Sequence, residues 1–414
     1  MRTTPCLVAG AAMASALVAQ GLPEVPVPSE NPTSAAKVVL GKALFWDEQL
    51  SSDDSMACGT CHRPAQGGSD PRFRRHPGTD GRLLTDDDVF GSPGVARLAT
   101  DLTPLADEFF DLRPQVTPRT SPSVLTTQYA AELFWDGRAA GAFTDPLSGE
   151  LQIAEGGALE TQALMPILNT VEMAHDGRSW QDVTEKLATV RPLALASGLP
   201  TDLRNAVRTR TSYPDLFDAA FGDEEITPVR IAFAIASYER TLLPDQTPYD
   251  QYLAGDRRAM TRNQIRGLAD FERARCAECH VPPLFTDDSF RNIGVRPVRE
   301  DEGRRDATDA FGDSGKFKVP SLRNVGLRTR FMHNGELRSI DEVLRHYRRP
   351  RRSPNLDPIV QGGLRVGGRR GRGRRGGSDL TPIVDFLQNA LTDPRVAAEQ
   401  PPFDRPVLRS ERKN

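Results

Sequence analysis

Apolar residues recur at helical spacing in several segments of the chain, and most of these segments begin at a residue that can cap a helix. After Ser34, the residues Val38, Val39, Ala43 and Leu44 are predicted to turn toward a core. The alternation of apolar and polar residues that marks a half-buried strand is scarce. The pattern therefore predicts a mostly α fold. Further helices are predicted over Thr227–Leu243, after the capping boxes Thr261–Gln264 and Ser339–Glu342, and from Thr381–Pro382.

Between the predicted helices lies a long stretch, residues 63–122, that is rich in Gly, Pro, Asp and Thr and shows little periodicity. Loops of that length inside a compact domain are usually functional. A chain of 414 residues is long enough for two domains, each with its own core. We predict an N-terminal domain over residues 30–223 and a C-terminal domain over residues 224–396, which the helix Thr227–Leu243 opens.

The N-terminus has the pattern of a secretory signal. Met1-Arg2 supplies a short positive start, Leu7 to Ala19 is an apolar, alanine-rich run, and Ala14-Ser15-Ala16 offers a cleavage site. A membrane anchor is the alternative, but the run is too short and too rich in alanine to span a bilayer stably. We therefore predict that residues 1–19 are a signal peptide, that the mature chain has no stable membrane insertion, and that it is periplasmic.

Charge is distributed unevenly along the chain. The formal net charge is −3 and 38% of the residues are hydrophobic, which fits a globular protein. Ten arginines and a single acidic residue, Asp357, lie between Arg348 and Arg375. Within this segment residues 367–377 are Gly and Arg alone and cannot pack a core, so we interpret them as a flexible insert. A nucleic-acid-binding segment is the alternative, but an exported protein rarely meets nucleic acid, and we predict no such partner.

The five-residue pattern CxxCH occurs twice and uses every cysteine except Cys6. In this pattern two thiols bind haem covalently and the histidine becomes an axial ligand of the iron. A divided zinc site and two thioredoxin-like pairs are the alternatives. A zinc site does not require a histidine directly after the second cysteine in both motifs. Neither motif has the strand-then-helix context of a thioredoxin. We predict two covalently bound haem c groups, one in each of two cytochrome-c-like haem domains with long loops. The attachment residues are Cys58, Cys61, His62, Cys276, Cys279 and His280.

Short sequence blocks follow one another in a recognisable order from about residue 36 to residue 395. In the first half these blocks are Leu40–Phe45, Phe134–Arg138, Leu159–Ala163 and Val171–Met173. In the second half they are Phe285–Asp287, Phe290–Gly294, Phe317–Asn324 and Met332–Gly335. Together with the two CxxCH motifs, they resemble the bacterial dihaem cytochrome c peroxidases, a family that includes MauG-like enzymes.

The resemblance implies roles for three residues near the first haem. Glu172 matches the glutamate that takes a proton from the inner peroxide oxygen and returns it to the outer one. Its neighbours Val171 and Met173 would give it a partly apolar setting, which raises the pKa of a carboxyl group. Gln162 matches the family's second distal polar residue, and Trp135 matches the tryptophan between the two haems. A surface carboxylate, a helix-surface glutamine and a core tryptophan are the respective alternatives.

The sixth ligand of the second haem separates two branches of the family. Classical members have a methionine fourteen residues after the histidine of the His-Asp/Asn-Gly motif, whereas MauG-like members have a tyrosine. Counting from His333 gives Tyr347. His346 is the rival, but on a helix that starts after Ser339 it points away from the apolar face that carries Tyr347. We predict Tyr347 as the ligand, with a packed core tyrosine as the alternative and His346 or Met332 as the next candidates.

Two further ligand positions of the family are less well matched. His76 lies in the loop where classical peroxidases keep a removable histidine ligand of the first haem, but the loop is longer and the offset differs, so ligation stays open. The side-chain ligand of the family's interdomain calcium falls at Thr120, where an asparagine is usual. The matching carbonyl segment is Arg328–Arg330, whose two arginines are poor neighbours for a dication. Calcium is therefore doubtful.

The resemblance implies an enzyme that reduces hydrogen peroxide to water at the haem of His62. Electrons would arrive through the haem of His280 from a small donor protein, a cytochrome c or a cupredoxin. The alternative, which Tyr347 keeps open, is a MauG-like enzyme that uses high-valent haem iron to oxidise residues of a partner protein. A plain electron carrier would need neither Glu172 nor Gln162. Whether the chain forms a homodimer stays open.

Overall fold

The computed structural model describes residues 21–366 and 379–412, and this part of the chain is mostly helical, as predicted. Three antiparallel pairs of very short strands are the sheet structure there. The strands are β1 (Arg74–His76) with β2 (Val89–Gly91), β3 (Phe143–Thr144) with β4 (Leu151–Ile153), and β5 (Phe290–Arg291) with β6 (Phe317–Lys318). The helices are α1 (Ala35–Phe45), α2 (Cys58–Cys61), α3 (Ala158–Leu164), α4 (Trp180–Thr189), α5 (Thr201–Thr209), α6 (Tyr213–Phe221), α7 (Pro228–Glu239), α8 (Pro248–Leu253), α9 (Arg262–Arg273), α10 (Arg305–Thr308), α11 (Ile340–Arg348), α12 (Thr381–Asp385) and α13 (Pro394–Ala397).

A first hydrophobic core forms where α1 packs across α7. The helices approach so closely at Gly41 that a Cβ atom there would lie 1.9 Å from the carbonyl oxygen of Ala234. Leu40 and Leu44 of α1 and Ile235 of α7 are fully buried at this crossing. The absence of a side chain at Gly41 therefore sets the distance between the two helices.

Residues from both sides of the predicted domain boundary at residue 224 contribute to this core, and the boundary itself stays a prediction. Helix α7, which was expected to open the second domain, packs in the first core, and that core also takes in Leu242. From the far end of the chain, Val396, Phe403 and Leu408 return to the same core. The apolar period predicts which face of a helix is buried, but it does not say against which partner, because that depends on contacts between distant segments.

A second core gathers α9, α11 and α12 around a cluster of aromatic rings. Phe271, Phe285 and Phe386 contact one another with ring centroids 5.7–6.1 Å apart, which fits the edge-on and tilted geometry that aromatic pairs prefer. The helix predicted from Thr381–Pro382 is present and continues as a π-helical segment, Phe386–Ala390. One further α-helix, α13, follows it within the described residues.

The predicted caps are observed at the helix starts. The side chains of Ser34, Thr227, Thr261 and Ser339 each accept a hydrogen bond from the backbone N–H three residues later. At Thr261 the capping box is complete. At Ser339 it is not, because the Glu342 carboxylate accepts from the backbone N–H of residue 338 at 2.6 Å instead.

The long stretch over residues 63–122 contains little regular structure, and the hairpin of β1 and β2 lies within it. Among the described residues, no helix is both long and apolar enough to cross a membrane. The predicted signal peptide, residues 1–19, and the Gly/Arg insert, residues 367–377, lie outside the described residues. They stay predictions.

Candidate haem and peroxide site

The first CxxCH motif forms the short helix α2, and its histidine follows directly after the helix. The hydroxyl of Thr60 accepts a hydrogen bond from the backbone N–H of Ala57 at 2.9 Å, which closes the N-terminal turn. Gly59 packs against Trp46 so tightly that a Cβ atom would lie 2.2 Å from the indole ring. The residues between the two cysteines are thus fixed by local packing, and the turn presents Cys61 and His62 to a cavity.

The ring of His62 is held by one of its two nitrogens. Its Nδ1 lies 3.1 Å from the carbonyl oxygen of Gly68, and since a carbonyl only accepts, Nδ1 carries the proton. Burial lowers the pKa of His62, so the ring is neutral at neutral pH. The unprotonated Nε2 is then available to a metal, in the arrangement that orients histidine ligands in general.

The second motif orients its histidine in the same way, although its backbone conformation differs. Cys276–Glu278 forms a 3₁₀ turn, and His280 follows it. The Nδ1 of His280 lies 3.1 Å from the carbonyl oxygens of both Phe285 and Pro320. Burial lowers the pKa of His280 as well. Both histidines therefore fit the role of an axial ligand, with Nδ1–H held by the backbone and Nε2 free.

The four cysteines of the motifs are free thiols and lie in two separate places. Cys61 lines the first cavity, whereas Cys276 and Cys279 line the second. Within the described ranges, no three side chains of the His, Cys, Asp and Glu types come together to hold a metal ion. Burial raises the pKa of Cys58 and Cys276 to about 12, opposite to the lowered pKa of reactive thioredoxin cysteines. Neither alternative to haem attachment fits this arrangement.

The first cavity has a volume of about 780 Å³ and brings together most of the predicted site residues. Its wall combines the loop after α2, the end of α3, the turn before α4 and the segment around residue 135. The predicted residues on this wall are Cys61, His62, His76, Trp135, Gln162 and Glu172.

Glu172 lies on the cavity wall with its backbone fixed by Asn169. The carbonyl and side-chain oxygens of Asn169 accept from the Glu172 backbone N–H at 3.1 and 3.2 Å. Burial raises the pKa of the Glu172 carboxyl, and the nearby Arg138 guanidinium opposes that rise. No hydrogen bond of the carboxylate to another described residue holds it, so it is free to exchange a proton with a molecule in the cavity.

His76 ends strand β1 and also lines the first cavity. Its Nδ1 accepts a hydrogen bond from the backbone N–H of Gly78 at 3.2 Å, and its ring packs against Phe110 with centroids 5.9 Å apart. Burial lowers the pKa of His76, which keeps the ring neutral. Its position is compatible with ligation of the first haem, which stays a prediction.

Trp135 borders both cavities and is only 8% exposed. Its Nε1–H donates to the carbonyl oxygen of Thr120 at 2.7 Å. His333, which also borders both cavities, lies edge-on to Trp135 at 6.4 Å and stacks on Phe317 at 3.5 Å. The place of His333 beside Trp135 is a contact between distant segments of the chain, which no local sequence pattern predicts.

The second cavity is smaller, about 160 Å³, and Tyr347 lies on its wall together with Met332. Burial raises the pKa of Tyr347, so without a bound cation its hydroxyl stays protonated. His346 turns away, and its Nε2 lies 2.9 Å from the carbonyl oxygen of Ile293. Of the two neighbouring candidates, Tyr347 is thus the one with access to the second cavity.

Arg328 gives an independent test of whether an anionic cofactor fits the second cavity. Its guanidinium faces that cavity and makes only long contacts, 3.4 Å each, to the carbonyl oxygens of Ser121 and Arg330. No carboxylate among the described residues pairs with it, and burial lowers its pKa to about 10. A buried cation without a counter-ion is costly, and a haem propionate is an anion of suitable chemistry.

The matched calcium position does not fit a dication. The Thr120 hydroxyl donates to the carbonyl oxygen of Met332 at 3.0 Å, and the carbonyl oxygen of Arg330 accepts from the Arg328 Nε–H at 3.4 Å. The matched side chain and one matched carbonyl oxygen thus take part in hydrogen bonds, and the partly buried Arg328 already brings a positive charge. The chemistry of this donor set favours no cation.

Comparison with known proteins yields one consistent family. The model of the family described as di-haem cytochrome c peroxidase matches residues 35–258. The methylamine utilization protein MauG of Methylophilus methylotrophus is 31% identical over 78% of this chain and 76% of its own. The cytochrome c551 peroxidase of Nitrosomonas europaea is 28% identical over 81% and 80%. A solved MauG-like protein associated with microbial copper homeostasis shares the fold, with a TM-score of 0.61 at 22% identity over 92% of this chain and 97% of its own.

Proposed function

The chain belongs to the family of dihaem cytochrome c peroxidases and MauG and is a haem-dependent oxidoreductase, and we propose that it reduces hydrogen peroxide to water at a haem held by His62. The observation that carries this proposal is that Glu172, Gln162 and His62 all line the first cavity. An electron carrier has no use for a free carboxyl and an amide beside its haem. Haem iron, when bound, supplies an open coordination position and accepts or gives electrons.

Glu172 is the acid–base group of the proposed reaction. It takes a proton from the peroxide oxygen nearer the iron and gives it to the outer oxygen, which then leaves as water. The raised pKa suits this exchange, because a strongly acidic carboxyl would not return the proton. Gln162 orients peroxide by hydrogen bonding, and the Arg138 charge opposes the rise in the pKa of Glu172.

Trp135 is the electron path in this proposal. It borders both cavities, so one indole ring spans the protein between the two predicted haems. His280 would hold the haem that receives electrons, and Trp135 would offer the path from there to the haem held by His62. The proposed donor is a small cytochrome c or cupredoxin, and the proposed compartment is the periplasm.

A MauG-like activity is the second candidate, and the position of Tyr347 favours it. A phenolate ligand from the wall of the second cavity would stabilise oxidised iron. The second haem would then store oxidising equivalents for residues of a partner protein instead of accepting electrons from a cytochrome.

The experiment uses full-length protein matured in a strain that attaches c-type haem. Mass spectrometry is expected to show two haem additions, and the double change Cys58→Ala, Cys61→Ala is expected to remove one. Peroxide consumption is then measured with a reduced small cytochrome and, separately, with a dye donor. Fast turnover with the cytochrome supports the peroxidase, whereas turnover with the dye alone supports the MauG-like activity. A lack of turnover with both donors contradicts the proposed function.

A further inference from the structure

A second carboxyl group, Glu239 at the end of α7, lies in the wall of the first cavity. It is 4% exposed, and its Oε2 is enclosed without a hydrogen-bond partner. Among the described residues, neither oxygen of this carboxyl takes part in a hydrogen bond or an ion pair. Buried carboxyl groups are normally paired, so an unpaired one that borders a reaction cavity calls for a functional explanation.

The adjacent cation, Arg240, is ion-paired with another carboxylate, and its Nε has no hydrogen-bond partner among the described residues. Arg240 donates to both oxygens of Glu160, at 2.8 and 3.1 Å, and Asn31 donates to Glu160 as well. Lys37 is occupied by Asn31 and a backbone carbonyl. Among the described residues no cation forms an ion pair with Glu239. Burial raises its pKa to about 8, with the Arg240 charge opposing the rise and the Glu160 charge adding to it, so the group is mostly protonated at neutral pH.

Helix packing brings Glu239 to the same side of the cavity as the proposed acid–base group. Ala236, one turn before Glu239 and therefore on the same face of α7, packs with Leu159 of α3. Leu159 and Gln162, one turn further along α3, both line the cavity. The charges of Glu239 and Glu172 both raise the pKa of Cys58, which places the two carboxyls around one haem-attachment residue.

We propose that Glu239 stores a proton beside the first haem and supplies it to the cavity when an electron arrives. The proposal rests on the proposed peroxide reduction. Converting peroxide to two waters consumes two electrons and two protons. Glu172 only moves a proton that peroxide brings, so both consumed protons come from elsewhere. The Glu239 O–H bond breaks as an O–H bond of product water forms. The apolar surroundings of Glu239 disfavour the carboxylate that remains, so it takes up a new proton from solvent.

The central test measures the reduction potential of the first haem against pH, without peroxide. Reduction adds negative charge beside Glu239 and raises its proton affinity. The potential of the wild-type protein is therefore expected to fall as the pH rises above about 8. Glu239→Gln keeps the shape but cannot titrate, so its potential is expected to stay constant across the same window. Glu239→Asp is expected to restore the fall.

Two controls distinguish the effect of Glu239 from the effects of the other charged groups around it. Glu160 and Arg240 form a closed pair, Lys37 is hydrogen-bonded, and Glu172 is the remaining free carboxyl. Glu172→Gln is therefore measured in parallel, and it is expected to keep the fall above pH 8. In wild-type protein, the infrared difference spectrum between reduced and oxidised states is expected to contain a protonated-carboxyl band that Glu239→Gln lacks.

An equal fall of the potential in wild type and Glu239→Gln would overturn the proposal. If Glu239→Gln fails to bind haem, the infrared difference spectrum of the wild-type protein is the deciding measurement. The absence of a protonated-carboxyl band from that spectrum would overturn the proposal. These readouts do not depend on turnover. A wild-type protein that shows the band and the fall but consumes no peroxide would contradict the proposed function while leaving the proton-storing role of Glu239 in place.

Discussion

At the scale of single residues, the site is defined by groups that the protein leaves without partners. The Nε2 atoms of His62 and His280 are free because their Nδ1 atoms are held by backbone carbonyls. The Glu172 carboxyl has no partner that competes with a substrate, and the Arg328 guanidinium lacks a counter-ion among the described residues. Such unsatisfied groups cost folding free energy, so their concentration around two cavities marks where ligands bind.

Replacing Glu172 with Gln is expected to lower peroxide turnover by about a hundredfold or more, because an amide cannot exchange the proton. Haem content and reduced spectra are expected to stay unchanged. Since burial raises the pKa of Glu172 and the base acts when ionised, wild-type turnover is expected to rise as the pH passes upward through that raised pKa. The variant is expected to lose this dependence. Steady-state rates measured over a range of pH check both expectations, and Glu150→Gln, a change at an exposed residue, is the control. Wild-type rates in Glu172→Gln would contradict the role of Glu172 as the acid–base group.

Replacing Tyr347 with Phe is expected to keep the packing of the second core but to delete a ligand oxygen. The second iron is then expected to change spin state, and its reduction potential to rise, because an anionic ligand that favours ferric iron is gone. Tyr347→Met is expected to raise the potential further. Paramagnetic resonance and spectroelectrochemistry measure both effects. His346→Gln, whose parent ring faces Ile293, serves as control and is expected to leave both haem spectra as they are. An unchanged spectrum in Tyr347→Phe would make Met332 the next ligand to test.

At the scale of helices, the architecture depends on close crossings that only glycine permits. Gly41 lets α1 meet α7, and Gly267 lets α9 meet α12, where a Cβ atom would lie 2.0 Å from the carbonyl oxygen of Pro382. Helices from both crossings also contribute to the cavities, since Glu239 of α7 lines the first and Phe271 of α9 lines the second.

Replacing Gly41 with Ala is expected to lower the free energy of unfolding by about 1–3 kcal/mol, because the added methyl group must push α1 away from α7. Denaturant titration of the haem-loaded protein measures this loss. Gly312→Ala is the matched control, since a Cβ atom there has open space around it. Equal midpoints for the two variants would mean that the crossing relaxes without cost.

The sequence predicted the local part of this architecture well and the long-range part poorly. Caps such as Thr261 and the turn of each CxxCH motif depend on neighbouring residues, and they lie where expected. The packing of α7 in the first core was not predicted, because its buried face would suit either core. Glu239 and Arg328 are recognised as site residues because the structure shows no partner for them among the described residues. The lack of a partner depends on three-dimensional contacts, so no pattern along the sequence predicts it.

At the scale of the whole molecule, the two halves are joined by charge as well as by the shared tryptophan. Arg119 donates to Asp136 of the first half and to Asp301 of the second, at 2.6 Å in both cases. This bridge lies on the rim of the first cavity, next to Trp135 and His333. Fixed partners on both sides of Trp135 keep the distance between the two predicted haems constant, which a relay of electrons requires.

Replacing Trp135 with Phe is expected to slow electron transfer between the haems by about tenfold or more, equivalent to at least about 1.4 kcal/mol of barrier, because a phenyl ring is harder to oxidise. Both haem spectra are expected to persist. Rapid mixing of the reduced protein with peroxide measures the transfer. Trp180→Phe, a similarly buried tryptophan that borders neither cavity, controls for the loss of an indole. Equal transfer rates in the two variants would remove Trp135 from the path.

The return of the C-terminal tail to the first core has a consequence for how the protein is made. Lys42 of α1 pairs with Asp404 at 2.9 Å, and Glu48 accepts from the backbone N–H groups of residues 409 and 410 at 2.6 and 3.0 Å. The half that is synthesised earlier is thus completed by residues 404–410, which are synthesised later, and a chain that stops at residue 393 is expected to lose protease resistance in its first half. Until these residues are added, the first CxxCH motif would lie in an unfinished core and stay accessible for haem attachment.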